Sequence, residues 1–330
     1  TCFQAMFNDG VTAADWMEAH GAQITDPDEI DAFYEREMPG PDTLPLFEAA
    51  RRLKIGFYLG YAELSVENGV KHRYNTDVLV DRNGAFVGKY RKIHLPGHAD
   101  NRSQFELQHL EKKYFETGNL GFGAWRTMGG VMGMCICNDR RWPETYRVLG
   151  LQGAELIMLG YNTPTNIPWE PIYDHLTDFH NHLCMQSGAY QNSTWVVGVA
   201  KAGLEEGSDF IGGSCIVAPS GEIVAMASTR ADELITFRCD LDLARHNKET
   251  MFNFALNREP QAYGRIVEQK AAIVPERVRD MDPSDLEVPV DRVPILSRHN
   301  PVDPGAPEMP ERSKAPTNAA CDPELPIAQQ

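Results

Sequence analysis

The 330-residue chain has no excess of positive charge: 31 Lys and Arg stand against 47 Asp and Glu, a net charge of −16. Nucleic acids and anionic membrane surfaces are bound by basic faces, so neither is expected as a partner. No apolar run reaches the roughly 18 residues of a membrane span, and the first residues lack the layout of a signal peptide. Cysteine is sparse and odd in number, at positions 2, 135, 137, 184, 215, 239 and 321. Scattered in this way, the cysteines suit reduced thiols rather than a disulfide framework, and a cytoplasmic location is expected. Metal-ligand spacing is absent as well. Cys135-x-Cys137 does not fit a zinc pair, and His94, His98, His109, His175, His180 and His182 lack short paired spacing. Internal repeats are not evident.

What remains is an ordinary globular composition, 42% hydrophobic and 24% charged, on a chain long enough to bury a substantial core. From Lys270 onward the composition changes: residues 270–330 hold 11 of the chain's 22 prolines. Proline blocks regular structure, so this stretch reads as an extended or disordered tail and not as a second domain. Residues 1–269 are the domain.

Within that domain a helix is expected over 26–37, with Asp26 as N-cap and Pro27 at its first position. Another helix is expected over Pro45–Lys54. Strand-like runs follow at Ile55–Tyr61, Leu64–Val66, Tyr74–Val80 and Ala85–Tyr90. Asn68-Gly69 and Asn83-Gly84 between them are hairpin signals, because both residue types tolerate positive φ. The second half alternates: strand Val131–Cys137, helix Pro143–Gly150, strand Glu155–Gly160, helix His175–Asn192, strand Trp195–Ala200. Strands are then expected at Gly213–Ala218, Glu222–Ala227 and Glu233–Asp240. Helix-linked and hairpin-linked strands together give the α/β class.

Gly133 to Glu144 concentrates the chemistry. A buried strand runs into the polar stretch Asn138-Asp139-Arg140-Arg141, which cannot continue it, and Pro143 then opens a helix. Cys137 therefore lies at a strand end, where ligands bind in α/β sheets. A helix start and neighbouring cations favour the thiolate, the nucleophilic form of cysteine. Lys92, between an apolar strand and the Leu95-Pro96-Gly97 turn, could stabilise charge on an attacked carbonyl oxygen. Arg140 and Arg141 could grip a carboxylate. Tyr161-Asn162-Thr163 follows the neighbouring strand and offers amide and hydroxyl groups. Glu111, taken alone, reads as part of a solvent-facing helical turn.

Three ordered segments carry a resemblance. Lys92 in Tyr-Arg-Lys-Ile-His-Leu-Pro, Glu111 in His-Leu-Glu-Lys-x-Tyr-Phe-x-x-Gly and Cys137 in Cys-Asn-Asp-Arg-Arg-Trp-Pro-Glu resemble the nitrilase superfamily of carbon–nitrogen hydrolases. The Asn-Asp-Arg-Arg-Trp-Pro-Glu continuation and Gly160-Tyr161-Asn162-Thr163-Pro164 are similar to the N-carbamoyl-D-amino acid amidohydrolases within it, over about residues 26–268. The resemblance implies an α-β-β-α sandwich that forms a homodimer or homotetramer and needs no metal or organic cofactor. It implies that Cys137 attacks the ureido carbonyl of a small-molecule N-carbamoyl amino acid, with Lys92 and the Asn138 amide holding the oxyanion. Glu111 would orient Lys92 or the substrate amide. Arg140 and Arg141 would hold the substrate carboxylate, and His109, Asn162 and Thr163 would complete the site.

One element of the family pattern is not found. Its general base is a glutamate ending an early strand in a Pro-Glu-Leu-like context, whereas the only glutamate in residues 1–25 is Glu18, in no such setting. The base is expected upstream of Thr1, and the chain as written is expected to fold poorly and to be nearly inactive. Two other readings stand beside the first. One is a related amidase acting on a β-ureido acid, carbamoylputrescine or an aliphatic amide; the other is a non-catalytic binding subunit.

Overall fold

In the computed structural model, residues 30–100, 109–166, 171–205 and 208–273 are described. The chain divides into a unit ending at Glu259 and a unit beginning at Pro260.

In the first unit, helix α1 (Leu44–Leu53) has Pro45 at its start and the left-handed Lys54 at its end. Strand β1 (Phe57–Glu67) turns at Asn68-Gly69 into β2 (Val70–Val80), which pairs with β3 (Phe86–Arg91). Asn68 and Gly69 have φ of 53° and 80°, the positive pair that a tight hairpin between twisted strands requires. These strands form a sheet of order β1-β2-β3. Helix α2 (Glu111–Tyr114) precedes β4 (Ala124–Thr127) and β5 (Gly130–Ile136), and a 3₁₀ turn then spans Cys137–Arg141. Helix α3 (Pro143–Leu151), β6 (Leu156–Tyr161), helix α4 (Thr177–Asn192) and β7 (Trp195–Ala200) follow. A separate hairpin, β8 (Ala202–Glu205) with β9 (Ser208–Ile211), precedes β10 (Cys215–Val217) and β11 (Ile223–Met226). The large sheet has the order β11-β10-β7-β6-β5-β4, with β5, β6 and β7 parallel. Helices α5 (Leu243–Glu249) and α6 (Phe254–Asn257) close the unit.

The layers follow from alternation along β2, whose residues from Tyr74 to Val80 are all buried. Val78 and Val80 pack with Phe47 of α1 on one face. Leu79 points the other way, into a core shared with Met134 and Ile136 of β5, Leu149 of α3 and Met185 of α4. Helix, small sheet, large sheet and helices thus stack as an α-β-β-α sandwich, with β2 buried on both faces although Asn75, Thr76 and Asp77 interrupt its apolar residues.

Three expectations differ from this fold. Leu64–Val66 is not a separate strand but the end of β1. The helix expected over 26–37 begins outside the described residues; Ile30 and Asp31 are helical, but Glu35 forms a parallel bridge with Glu63. Its N–H donates to Ala62 O and its carbonyl accepts from Leu64 N, so backbone groups that a helix would use are already taken. Glu233–Asp240 is not a strand. No described strand lies beside it, and the Asp240 carbonyl accepts from Trp195 Nε1 instead.

In the second unit, described to residue 273, a 3₁₀ turn (Pro260–Tyr263) leads into α7 (Gly264–Glu268). The proline-rich stretch from 274 lies outside the described residues. Among the described residues no helix is long and apolar enough to cross a membrane.

Candidate active site

The site forms where the end of β5 meets the end of β3. Strand β5 is buried throughout most of its length and stops at Ile136. The chain bends there because Cys137 adopts φ 48°, a left-handed conformation that side chains with a Cβ rarely take. Strain of this kind persists only where surrounding contacts enforce it, and it concentrates at functional positions. The turn places the Cys137 side chain at the carboxyl end of a parallel sheet, at the start of the 3₁₀ turn, whose first N–H groups, Asn138's among them, lack intrahelical partners.

Lys92 follows β3 and is almost completely buried. Its amide donates to Asn75 O and its carbonyl accepts from Gly118 N, which fixes the backbone on both sides. Its Nζ lies 2.6 Å from Glu111 Oε1 and 2.9 Å from Oε2. Glu111 is therefore not the solvent-facing residue expected from its surroundings in sequence: it opens α2 with its carboxylate turned inward, and Asn75 Nδ2 also donates to it at 2.8 Å. Burial lowers the tendency of Lys92 to hold a proton, but the Cys137 thiolate, Glu111 and Asp139 outweigh it and raise its pKa. For Cys137, burial pushes the thiol up, and the opposing charges of Lys92 and Arg140 bring it below its ordinary value. Both shifts favour the charged forms, ammonium on Lys92 and thiolate on Cys137.

The two arginines divide in environment. Arg140 is 1% exposed. Its Nε donates to Asn181 Oδ1 on α4 (3.0 Å), one terminal nitrogen to the Cys137 carbonyl (2.7 Å) and the other to Thr163 Oγ1 (2.8 Å). The same nitrogen that holds the Cys137 carbonyl lies 4.0 Å from Cys137 Sγ, and the guanidinium stacks 4.1 Å from the Tyr161 ring. Arg141 is exposed and has no carboxylate partner among the described residues. His109 stands behind Lys92 and is held neutral, its pKa lowered to about 4 by burial and by the nearby Lys92 and Arg141 charges. The loop before it turns at Gly97 (φ +74°), where a Cβ would lie 1.9 Å from the His109 carbonyl oxygen. Asn138 donates through Nδ2 to His94 O, and Asn162 and Thr163 follow β6 as expected.

A sequence model of carbon-nitrogen hydrolases matches residues 2–249. The chain belongs to the carbon-nitrogen hydrolase family. Among its relatives is a probable nitrilase of Schizosaccharomyces pombe, 27% identical over 228 residues, which span 69% of this chain and 75% of that protein. The N-carbamoylputrescine amidase of Arabidopsis thaliana is 30% identical over 244 residues, 70% of this chain and 76% of that one. A citrullinase of Francisella tularensis is 30% identical over 203 residues, 59% and 65% of the two chains. The fold is also that of a carbon-nitrogen hydrolase from Helicobacter pylori, with a TM-score of 0.62 at 23% identity, covering 75% of this chain and 82% of that one.

As a carbon-nitrogen hydrolase, the chain is a hydrolase acting on C–N bonds. The expectation about the glutamate base falls outside the described residues, as do residues 1–29 with Glu18. Several residues at the hydrolase site went unassigned in the sequence. Asp139, Tyr90 and His94 form one hydrogen-bonded group beside the pair, and Asn75, Asn181 and Tyr161 hold Glu111 and Arg140. Asp139 sits inside the motif that carried the resemblance, yet only the fold shows that it points inward.

Proposed function

We propose that this carbon-nitrogen hydrolase cleaves the ureido C–N bond of N-carbamoyl amino acids, with the D enantiomers as substrates. The observation that carries the reading is Cys137 on a left-handed turn at the end of β5, with Arg140 4.0 Å from its sulfur and the charges of Lys92 and Arg141 acting on it. In this mechanism the Cys137 thiolate attacks the carbamoyl carbon, and the oxyanion is held by the Lys92 ammonium and the Asn138 N–H. Collapse of the tetrahedral species, with one proton taken up from solvent by the leaving nitrogen, expels ammonia and leaves the amino acid's N-carbonyl group on sulfur. Water then cleaves the C–S bond, and the N-carboxy product loses carbon dioxide to give the free amino acid.

Arg141, exposed and without a carboxylate partner among the described residues, suits the substrate carboxylate; Arg140, which donates to Thr163, completes the proposed site with Asn162 and His109. The same cations disfavour a substrate ending in an ammonium group, as carbamoylputrescine does. Two relatives bear the names of ureido-group hydrolases, N-carbamoylputrescine amidase and citrullinase, which supports the carbamoyl group as the reacting centre. A homodimer or homotetramer belongs to the same reading, and the exposed Phe179 and Leu183 on α4 are the kind of apolar surface such contacts use.

The test is ammonia release by the protein, measured side by side on N-carbamoyl-D-phenylalanine, its L enantiomer, N-carbamoylputrescine and propionamide. A higher kcat/KM on the D-carbamoyl acid supports the proposal. Preference for the putrescine derivative or the simple amide would sink it.

A further inference from the structure

Lys92 extends from the three-stranded sheet and Cys137 from the six-stranded sheet. Among the described residues no β-ladder joins the two, so their relative position rests on side-chain contacts. A reaction that needs both groups at one carbon requires a directional tie, since misplacement by about 1 Å can cost about 10²-fold in rate.

Asp139 supplies such a tie. Fully buried and two residues after the nucleophile, its carboxylate meets four groups. Oδ1 accepts from the His94 amide at 3.0 Å and lies 2.8 Å from His94 Nδ1. Oδ2 accepts from the Tyr90 hydroxyl at 2.8 Å and from the Ile136 amide at 3.0 Å. Tyr90 and His94 stand two residues before and two after Lys92, and Ile136 immediately precedes Cys137. One carboxylate therefore grips the chain on both sides of the lysine and at the base of the thiol. The surroundings reinforce it. Tyr90 Oη also accepts from Ile93 N, Asn138 Nδ2 donates to His94 O, and the His94 ring stacks on Trp142 at 5.0 Å and 10°.

We propose that Asp139 is the positioning residue of this site, setting the separation of Lys92 and Cys137 by clamping Tyr90 and His94 to the Cys137 turn. The inference takes Lys92 and Cys137 as the reacting pair, but it does not depend on which amide they cleave. A buried carboxylate that accepts only from donors also fixes the His94 tautomer, with the proton on Nδ1.

Asparagine carries its amide nitrogen about where histidine carries Nδ1, and glutamine about where histidine carries Nε2. H94N therefore keeps a donor for Asp139 and H94Q loses it. The readout is the rate of Cys137 alkylation by iodoacetamide against pH, followed by mass spectrometry on the peptide that carries Cys137, since six other cysteines are present, and independent of substrate identity. The charged groups of the described residues that act on the thiol are Lys92, Arg140, Arg141 and Glu111, and the His94 and Tyr90 variants leave all of them in place. H94Q and Y90F are expected to move the alkylation midpoint to higher pH and to slow the reaction at neutral pH about tenfold, while H94N stays near the parent. D139N separates position from charge. Removal of a negative charge alone lowers the midpoint; release of Lys92 raises it, and a rise is expected. Equal behaviour of H94N and H94Q, unmoved profiles, or a lower midpoint in D139N would overturn the proposal. If a His94 variant fails to fold, Y90F, which removes a single hydroxyl, carries the comparison.

Discussion

Lys92 and Glu111 meet face to face, one ammonium against both carboxylate oxygens at 2.6 and 2.9 Å. With Asn75 on the same carboxylate, Glu111 is placed to hold Lys92 charged and aimed. Lys92 in turn is the first of the charges that hold the Cys137 thiol below its ordinary value, so removing it must move that thiol upward. K92M is expected to raise the pH midpoint of Cys137 alkylation by about one unit or more, a tenfold loss of thiolate at neutral pH. An unchanged midpoint would show that Arg140 alone sets the thiolate.

The two arginines should fail differently. Arg141 is exposed, so R141A is expected to fold normally and to raise KM for a carbamoyl amino acid about 10- to 100-fold, the worth of a charge-assisted bond. Its effect on propionamide should be within about threefold, since that substrate has no carboxylate. Arg140 instead holds Asn181, Thr163 and the Cys137 carbonyl from a buried position. R140A strands those groups and should lower the unfolding free energy in urea by about 2–4 kcal/mol. Equal stability of the two variants would contradict this division.

These roles show where the sequence was legible. The Asn68-Gly69 hairpin, the strand Trp195–Ala200 and the helix after Pro143 follow from local chemistry, and the fold has them where they were expected. Glu35 and Glu233–Asp240 were misread because what decides them is a partner remote in sequence: β1 in one case, the Trp195 indole in the other. The same limit applies to the site. Cys137 announces itself by a polar run after a buried strand. Glu111 and Asp139 look like surface charges until the topology brings Lys92, Tyr90 and His94 against them. Adjacent arginines likewise give no sign that one is buried and the other exposed.

The left-handed turn at Cys137 can be tested by size alone. Glycine in regular structure usually costs about 0.5–1 kcal/mol relative to alanine, but at positive φ an L-residue carries a strain that glycine avoids. C137G is therefore expected to be at least as stable as C137A, with no hydrolysis by either. Thermal melts of the two inactive variants decide it, and a C137G protein clearly less stable than C137A would contradict the strain.

Asp77 offers a pH test at a buried group that the proposed chemistry does not use. It lies on β2, 3% exposed, with Oδ2 lacking a hydrogen-bond partner among the described residues. Burial first, and then the like charge of Asp139, push its carboxyl up to about 8, against the pull of Lys92. The folded protein thus keeps a proton that the unfolded chain releases near 3.8, and stability from this group is full below that value. It is lost as pH rises toward 8, by up to about 1.4 kcal/mol per unit. D77N has nothing to titrate. Urea unfolding of both proteins at pH 5 and pH 7.5 should show a fall in stability for the parent that exceeds that of D77N by a few kcal/mol. Parallel behaviour of the two would mean that Asp77 is ionised in the folded state and paired with a cation.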